Sequence, residues 1–282
     1  MRILLGSFLL FASACATHTI SVPIGGTGAF EVGEADFPDL DACFLLYSLK
    51  DSRFLKVYGE ERCKVQMPPC STFKVPLAVI GFESGKLVDE DTFFHWDGKD
   101  YPIDAWNRNQ TARTWMRDSV VWVSQILARN IGAKKIEGYL DDFSYGNKDF
   151  SGGTQGAWLT PAPFLLGVPN TSLKISAFEQ MDFMKKLWRD ELPVTFRAMK
   201  QARDLTRLET SPNGTVLHGK TGSGFVGADG HLRLAWFMGH VQAGKSEYLV
   251  ITTFTDKTPK TELAGKQARA ITKTLLEKNN LW

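Results

Sequence analysis

What is scarce in this sequence narrows its chemistry before any motif is weighed. The 282 residues hold four cysteines and five histidines, with no His-x-x-x-His pair and no zinc-site cysteine spacing, so no metal is expected. No basic block occurs, and 33 Lys and Arg against 31 Asp and Glu leave a net charge of +2, so nucleic acid is not an expected partner. Beyond the first few residues no apolar run is long enough to span a bilayer, so the mature form is expected to carry no membrane segment. A Gly-x-Ser-x-Gly nucleophile elbow is absent, as are internal repeats, low-complexity tracts and linkers. What remains, 43% apolar and 23% charged, is the make-up of an ordinary soluble globular chain.

The N-terminus stands apart. Met1-Arg2 supplies a positive charge, "ILLGSFLLFASA" is a short apolar run, and Ala14-Cys15-Ala16 has the small-x-small form of a signal-peptidase site. Residues 1–16 therefore read as an export signal, which places the mature protein in the periplasm. Lipidation at Cys15 is disfavoured because Ala12 stands where a bulkier aliphatic residue is expected. An oxidising compartment permits disulfides, and a Cys43 to Cys63 bridge is conceivable because the two lie in segments able to pair as neighbouring strands. Cys70 reads as a small buried residue.

"ACFLLYSL" (42–49) and "SRFLKVYG" (52–59) read as strands joined by a tight Lys50-Asp51 turn, and 233–242 with 247–255 form a second hairpin. Residues 262–278 place Ala264, Ala268, Ile271 and Leu275 at helical spacing. Strands from both ends of the chain are thus expected in one antiparallel sheet covered by the terminal helix. The middle has helical apolar patterns broken by Gly, Pro and Asn loops. The expected organisation is one domain, 17–282, with a sheet part (17–84 and 205–282) and a helical part (85–204).

Residues 214–221 match a phosphate-loop pattern, Gly-x4-Gly-Lys-Thr, but each structural requirement is inverted. A turn precedes Gly214, the residues where a flexible loop is needed prefer a strand, and four glycines follow Thr221 where a helix should begin. Read as a strand, the same stretch sets the ammonium of Lys220 and the hydroxyl of Thr221 beside glycines that admit a ligand along the backbone.

"PPCSTFKVPLAVIGF" starts in a turn and continues as an apolar helix, so Ser71 and Lys74, three apart, share its first turn. A serine with its own lysine base needs no histidine. Unpaired amides at the helix start suit a developing oxyanion. One Ser-x-x-Lys pair is what chance supplies in a chain of this size, and its weight comes from company. Ser119-Val120-Val121, Tyr145-Gly146-Asn147, Trp158 and Lys220-Thr221-Gly222 follow in order at wide separations.

Together these motifs resemble those of a class D β-lactamase, an oxacillinase of the serine penicillin-recognising enzymes, from about Ala42 to the end; His95–Lys99 and Trp106 are also similar. The resemblance implies an α+β fold, a five-stranded antiparallel sheet flanked by helices in three layers beside an all-helical subdomain, with the site in the cleft between. It implies acylation of Ser71 by a small-molecule β-lactam and an oxyanion hole from the amides of Ser71 and Ser223. Ser119 would relay a proton to the lactam nitrogen, and Lys220, Thr221 and Ser223 would hold the substrate carboxylate, with Trp106 beside it. No separate cofactor is implied except carbon dioxide, as an N-carboxylated Lys74 acting as general base. Trp158 would donate to that carbamate, while Val121 and Leu159 gate water.

Burial by Phe73, Val121, Trp158 and Leu159 gives the carboxylation a physical basis, since a dry pocket favours the neutral amine. One departure concerns the arginine that many members place near the last strand to bind the carboxylate. Lys260, Lys266 and Arg269 are the candidates here. Two other functions share these motifs: a sensor or receptor domain that stays acylated, and a peptidoglycan peptidase, against which Val121 speaks because such enzymes usually carry Asn there. The patterning does not settle the oligomeric state or the preferred β-lactams. Tyr145 and Asn147 read equally well as turn-shaping residues, and His218 as structural.

Overall fold

The computed structural model describes residues 23–24, 28–227 and 230–282. The export signal and Cys15 lie outside the described residues. The chain builds strands β1 (Leu40–Ser48), β2 (Arg53–Tyr58), β3 (Arg207–Thr210), β4 (Val216–Val226), β5 (Leu232–Ala243) and β6 (Ser246–Asp256). They form one antiparallel sheet in the order β2-β1-β6-β5-β4-β3, so strands from the two ends of the chain lie side by side at its centre. The five expected strands are joined by a sixth, the four-residue edge strand β3.

Alternation along β1 divides the interior. Cys43, Leu45 and Tyr47 point into one core with Trp236, Met238 and Ile251, while Ala42, Phe44 and Leu46 point into another with Phe237, Val250 and Phe254. Helix α8 (Gly265–Lys278) closes the second core through Ala268, Leu275 and Leu276, as its apolar spacing predicts. The first core lies under α2 (Lys74–Glu83), buried along nearly its whole length. Pro76 is tolerated in the first turn of α2, where no intrahelical donor is lost. At Gly81 an added Cβ would come within 2.9 Å of Leu87 and 3.3 Å of Leu127, so this residue lets both side chains close on the helix.

The helical part comprises α3 (Ala112–Asp118), α4 (Val121–Ile131) and α5 (Ala133–Phe143), and α4 packs on α2. Helix α7 (Phe196–Leu205) packs on α2 as well. Helix α6 (Ala177–Trp188) lies on the sheet against β6 and β1, joining the layer that α2 occupies. Cys43 and Cys63 are bridged, although Cys63 sits on the short helix α1 (Glu60–Lys64) and not on a paired strand. The bridge ties that helix to the sheet a few residues before Ser71. Among the described residues no helix is long and apolar enough to cross a membrane.

Candidate active site

Ser71 lies in a single 3-10 turn, Cys70–Phe73, that runs straight into α2. The turn is pinned from below: Cys70 N donates to Trp158 O at 2.9 Å, and Thr72 Oγ1 donates to Pro69 O at 2.6 Å. Trp236 Nε1 reaches Pro68 O. Cys70 has φ of 50°, in the region that favours glycine, so the residue before the nucleophile is held in a conformation its neighbours must impose. Gly224 explains how they do so, since a Cβ there would lie 2.7 Å from Cys70 Sγ and 2.4 Å from Thr160 Oγ1. Burial pushes the Cys70 thiol up to about 12, which leaves it inert and agrees with its reading as a packing residue.

Lys74 follows the turn, wholly buried, with Nζ 3.4 Å from Ser71 Oγ. Burial first, and the Lys220 charge second, hold its pKa well below the ordinary lysine range, so the neutral amine is favoured. Lys74 has no carboxylate partner among the described residues. The preceding Phe73 belongs to an aromatic triad: it packs on Trp158 at 5.2 Å between centroids, and Phe150 lies 6.0 Å from both rings, stacked on Trp158. The Trp158 Nε1 donor is itself buried without an acceptor. A buried lone donor costs on the order of 1–3 kcal/mol, and Trp158 Nε1 has no acceptor among the described residues.

Ser119 is the C-cap of α3 in the left-handed region, φ 59°, which turns its side chain away from the helix and toward the sheet. Lys220 Nζ, from β4, donates to Ser119 Oγ at 2.9 Å and to Thr221 O at 3.0 Å. Only 5% of Lys220 is exposed, and burial pushes its ammonium down to about 7. Ser223 Oγ accepts from Gly265 N at 2.8 Å, so the first turn of α8 orients it. Ser71, Ser119, Thr221, Ser223 and Trp106 line a cleft of about 550 Å³. Trp106 is a buried pillar whose indole donates to Asp118 O.

The other anticipated residues are placed differently. Val121 and Leu159 line a neighbouring cavity of about 280 Å³, which also takes in Asp97 and Lys99 of the His95–Lys99 stretch. Trp106 and Phe164, packed edge to face, line both spaces and form the wall between them. Of the three basic candidates, Lys260 pairs with Asp256 and Arg269 with Glu209, whereas Lys266 is exposed, lines the cleft and has no ion pair among the described residues. Phe164, Leu263 and Arg117 also line the cleft and gave no sequence signal: loop position puts Phe164 and Leu263 there, and the seating of α3 puts Arg117 there.

Tyr145-Gly146-Asn147 is scaffolding. The Tyr145 hydroxyl bonds Gln180, which in turn holds Thr72, and Asn147 ties the chain to Ser172 and Lys174. Gly146 must be glycine, since its φ is +55° and a Cβ would meet Lys174 O. His218 bonds the α7 end through Arg203 O, consistent with a structural role.

A serine, a buried lysine and a second serine–lysine pair converging on one cleft match the motifs of the serine penicillin-recognising enzymes, and comparison places the chain among them. The penicillin-binding-protein transpeptidase domain model matches residues 42–277. "Beta-lactamase OXA-1" of Escherichia coli is 34% identical over 97% of this chain and 94% of its own length. The chain belongs to the class D β-lactamases. A class D β-lactamase structure from Bacillus subtilis superposes with a TM-score of 0.78 at 32% identity, covering 91% of this chain and 99% of that one. The C-terminal domain of the Bacillus licheniformis BlaR penicillin receptor superposes with a TM-score of 0.77 at 29% identity, covering 88% and 95%. This class D β-lactamase thus has the expected α+β fold, a sheet between helical layers.

Proposed function

We propose that the protein hydrolyses β-lactam antibiotics through an acyl-enzyme on Ser71 and so confers resistance to them. The observation that carries this reading is the pairing of a wholly buried, charge-disfavoured Lys74 with Ser71 Oγ 3.4 Å away, at the mouth of a cleft of ligand size. In acylation the Ser71 proton passes to the Lys74 side chain as Oγ bonds to the lactam carbonyl carbon and the ring C–N bond breaks, with the amides of Ser71 and Ser223 as oxyanion donors. Ser119, held by Lys220, delivers a proton to the leaving nitrogen. Water then gives a proton to the Lys74 side chain and displaces Oγ, which takes a proton back. Thr221, Ser223 and Lys266 receive the substrate carboxylate. Of the three basic candidates, Lys266 is the one at the cleft, and it stands in for the arginine.

The residues around Lys74 fit carboxylation by carbon dioxide: the amine is favoured in its neutral form, and the Trp158 donor lacks an acceptor. Carboxylation would supply a carboxylate-type base beside Ser71. Trp158 would orient that group, and Phe73 and Phe150 would keep the space dry. Export to the periplasm belongs to the same proposal, supported by the bridge between Cys43 and Cys63, a bond suited to an oxidising compartment.

The likeness to a penicillin receptor domain favours one other reading, in which Ser71 is acylated and stays so. A time course with a chromogenic cephalosporin separates the two. Sustained turnover, lost in Ser71→Ala, is expected for the hydrolase; one equivalent of product with a stable Ser71 adduct would establish a receptor.

A further inference from the structure

A second cavity of about 270 Å³ adjoins the substrate cleft at Thr221, and Arg117 and Thr221 line both spaces. Its walls carry Arg113 and Arg117 from α3, Arg207 from β3, Arg269 from α8 and Lys220 from β4, against one carboxylate, Asp204. Asp204 is already engaged by Lys200. Three of the arginines have acids at their backs: Arg113 pairs with Glu90, Arg117 with Asp118 and Arg269 with Glu209. None of those three acids lines the cavity. Arg207 has no acid partner among the described residues and donates only to Thr210 Oγ1, at 2.9 Å.

Three of these cations are held by acids that lie outside the cavity and Arg207 by none, so the wall itself is basic, and a concave basic wall focuses its field on an entering anion. None of the motifs that mark the active site requires this cluster. Lys220 and Thr221 belong to the cleft, but Arg113, Arg207 and Arg269 come from three separate elements that meet only here. We infer that this annex is a subsite for a second anionic group on the substrate, carried on the ring next to the carbon bearing the carboxylate. The inference rests on the hydrolase reading, because it takes the ring carboxylate to lie at Thr221. A bicyclic β-lactam acylated on Ser71 then directs the substituent beyond that carboxylate into the annex. A carboxylate or sulfonate there would meet Arg207 and the paired arginines, whereas a neutral substituent would leave Arg207 without an anionic partner. Bidentate arginine recognition of planar oxyanions suits both groups.

The test compares two cephalosporins that share one acyl side chain and differ in the ring substituent, anionic or neutral. The readout is the rate of Ser71 acylation per unit concentration, followed by mass, together with kcat/KM. Wild type is expected to prefer the anionic member, and Arg207→Ala to lower its value about fivefold, mostly through KM, while the neutral one changes less than twofold. Arg207→Lys should recover part of the loss, and raised salt should compress the preference. An Arg207→Ala ratio equal to wild type would overturn the subsite, as would an equal fall with both compounds. If both are acylated with the expected preference but neither turns over, the subsite stands and the hydrolase reading fails. If neither compound acylates Ser71, both ideas fall together.

Discussion

Lys220 is an ammonium-bearing side chain with only 5% of its surface exposed, and that burial should cost stability. Replacing it by methionine keeps the volume and removes the charge. A fall from the ordinary 10.5 to about 7 corresponds to about 5 kcal/mol of penalty on the charged form. The sign follows from proton counting. Below pH 7 both folded and unfolded chains bind the proton, and the wild type bears the full penalty. Between pH 7 and 10.5 the folded state releases it while the unfolded state keeps it, so stability rises with pH and the penalty fades. Against this, Lys220→Met removes the donors that serve Ser119 Oγ and Thr221 O, at roughly 1 kcal/mol each. The variant is therefore expected to be more stable than wild type by about 3 kcal/mol at pH 6, with the difference near zero by pH 9. Urea unfolding of both proteins at the two pH values measures it, with midpoints compared at unchanged slope. A difference independent of pH would refute the reasoning, as would a Lys220→Met protein less stable at pH 6. The gain should come with loss of hydrolysis, because Ser119 loses the group that orients it.

Four other outcomes follow from the same geometry. Depleting carbon dioxide or acidifying should lower activity and added bicarbonate restore it, since carboxylation needs the neutral Lys74 amine; indifference to bicarbonate would count against the modification. Trp158→Phe keeps most of the packing and should slow deacylation about 10- to 100-fold, with a smaller effect on acylation; burst kinetics would show equal losses if the indole only fills space. Breaking the Cys43–Cys63 bridge, which spans 20 residues, should cost about 3 kcal/mol in denaturant titrations, and a Cys43→Ala, Cys63→Ala protein matching wild type would contradict that. Gly224→Ala should destabilise by roughly 2 kcal/mol and depress Ser71 acylation, because its methyl collides with Thr160 and Cys70; adduct formation at the wild-type rate would show that the turn can shift freely.

Much of the frame was legible in the sequence because it rests on local periodicity. The near-continuous apolar runs in 40–48 and 246–256 mark strands buried on both faces, and the Ala268–Leu275 spacing marks a helix with one apolar stripe. Ser71 with Lys74 was legible for a similar reason, three residues on one helical turn being neighbours wherever the helix lies. Cavity membership was not legible. Val121 and Leu159 belong to the 280 Å³ space because the Trp106–Phe164 pair stands between it and the cleft, and nothing in either residue's neighbourhood in the chain encodes that wall. The Cys43–Cys63 pairing was conceivable from sequence, but for a different reason: Cys63 reaches the sheet from a five-residue helix too short to leave a periodic signal. Helix α6 reads in sequence as one of several amphipathic helices, and its seat on β6 and β1 is a tertiary fact.

The pairing of β1 with β6 has a consequence for how the molecule comes into being. Tyr47 and Leu249 are register partners, about two hundred positions apart along the chain. As the polypeptide emerges from its N-terminus, the central strand waits for its neighbour through nearly the whole of synthesis, and loop closure on that scale is slow. The second core, shared by β1, β5, β6 and α8, likewise cannot assemble from a nascent chain. Loss of residues 246–282, which carry β6 and α8, would leave a chain with no sheet centre to complete.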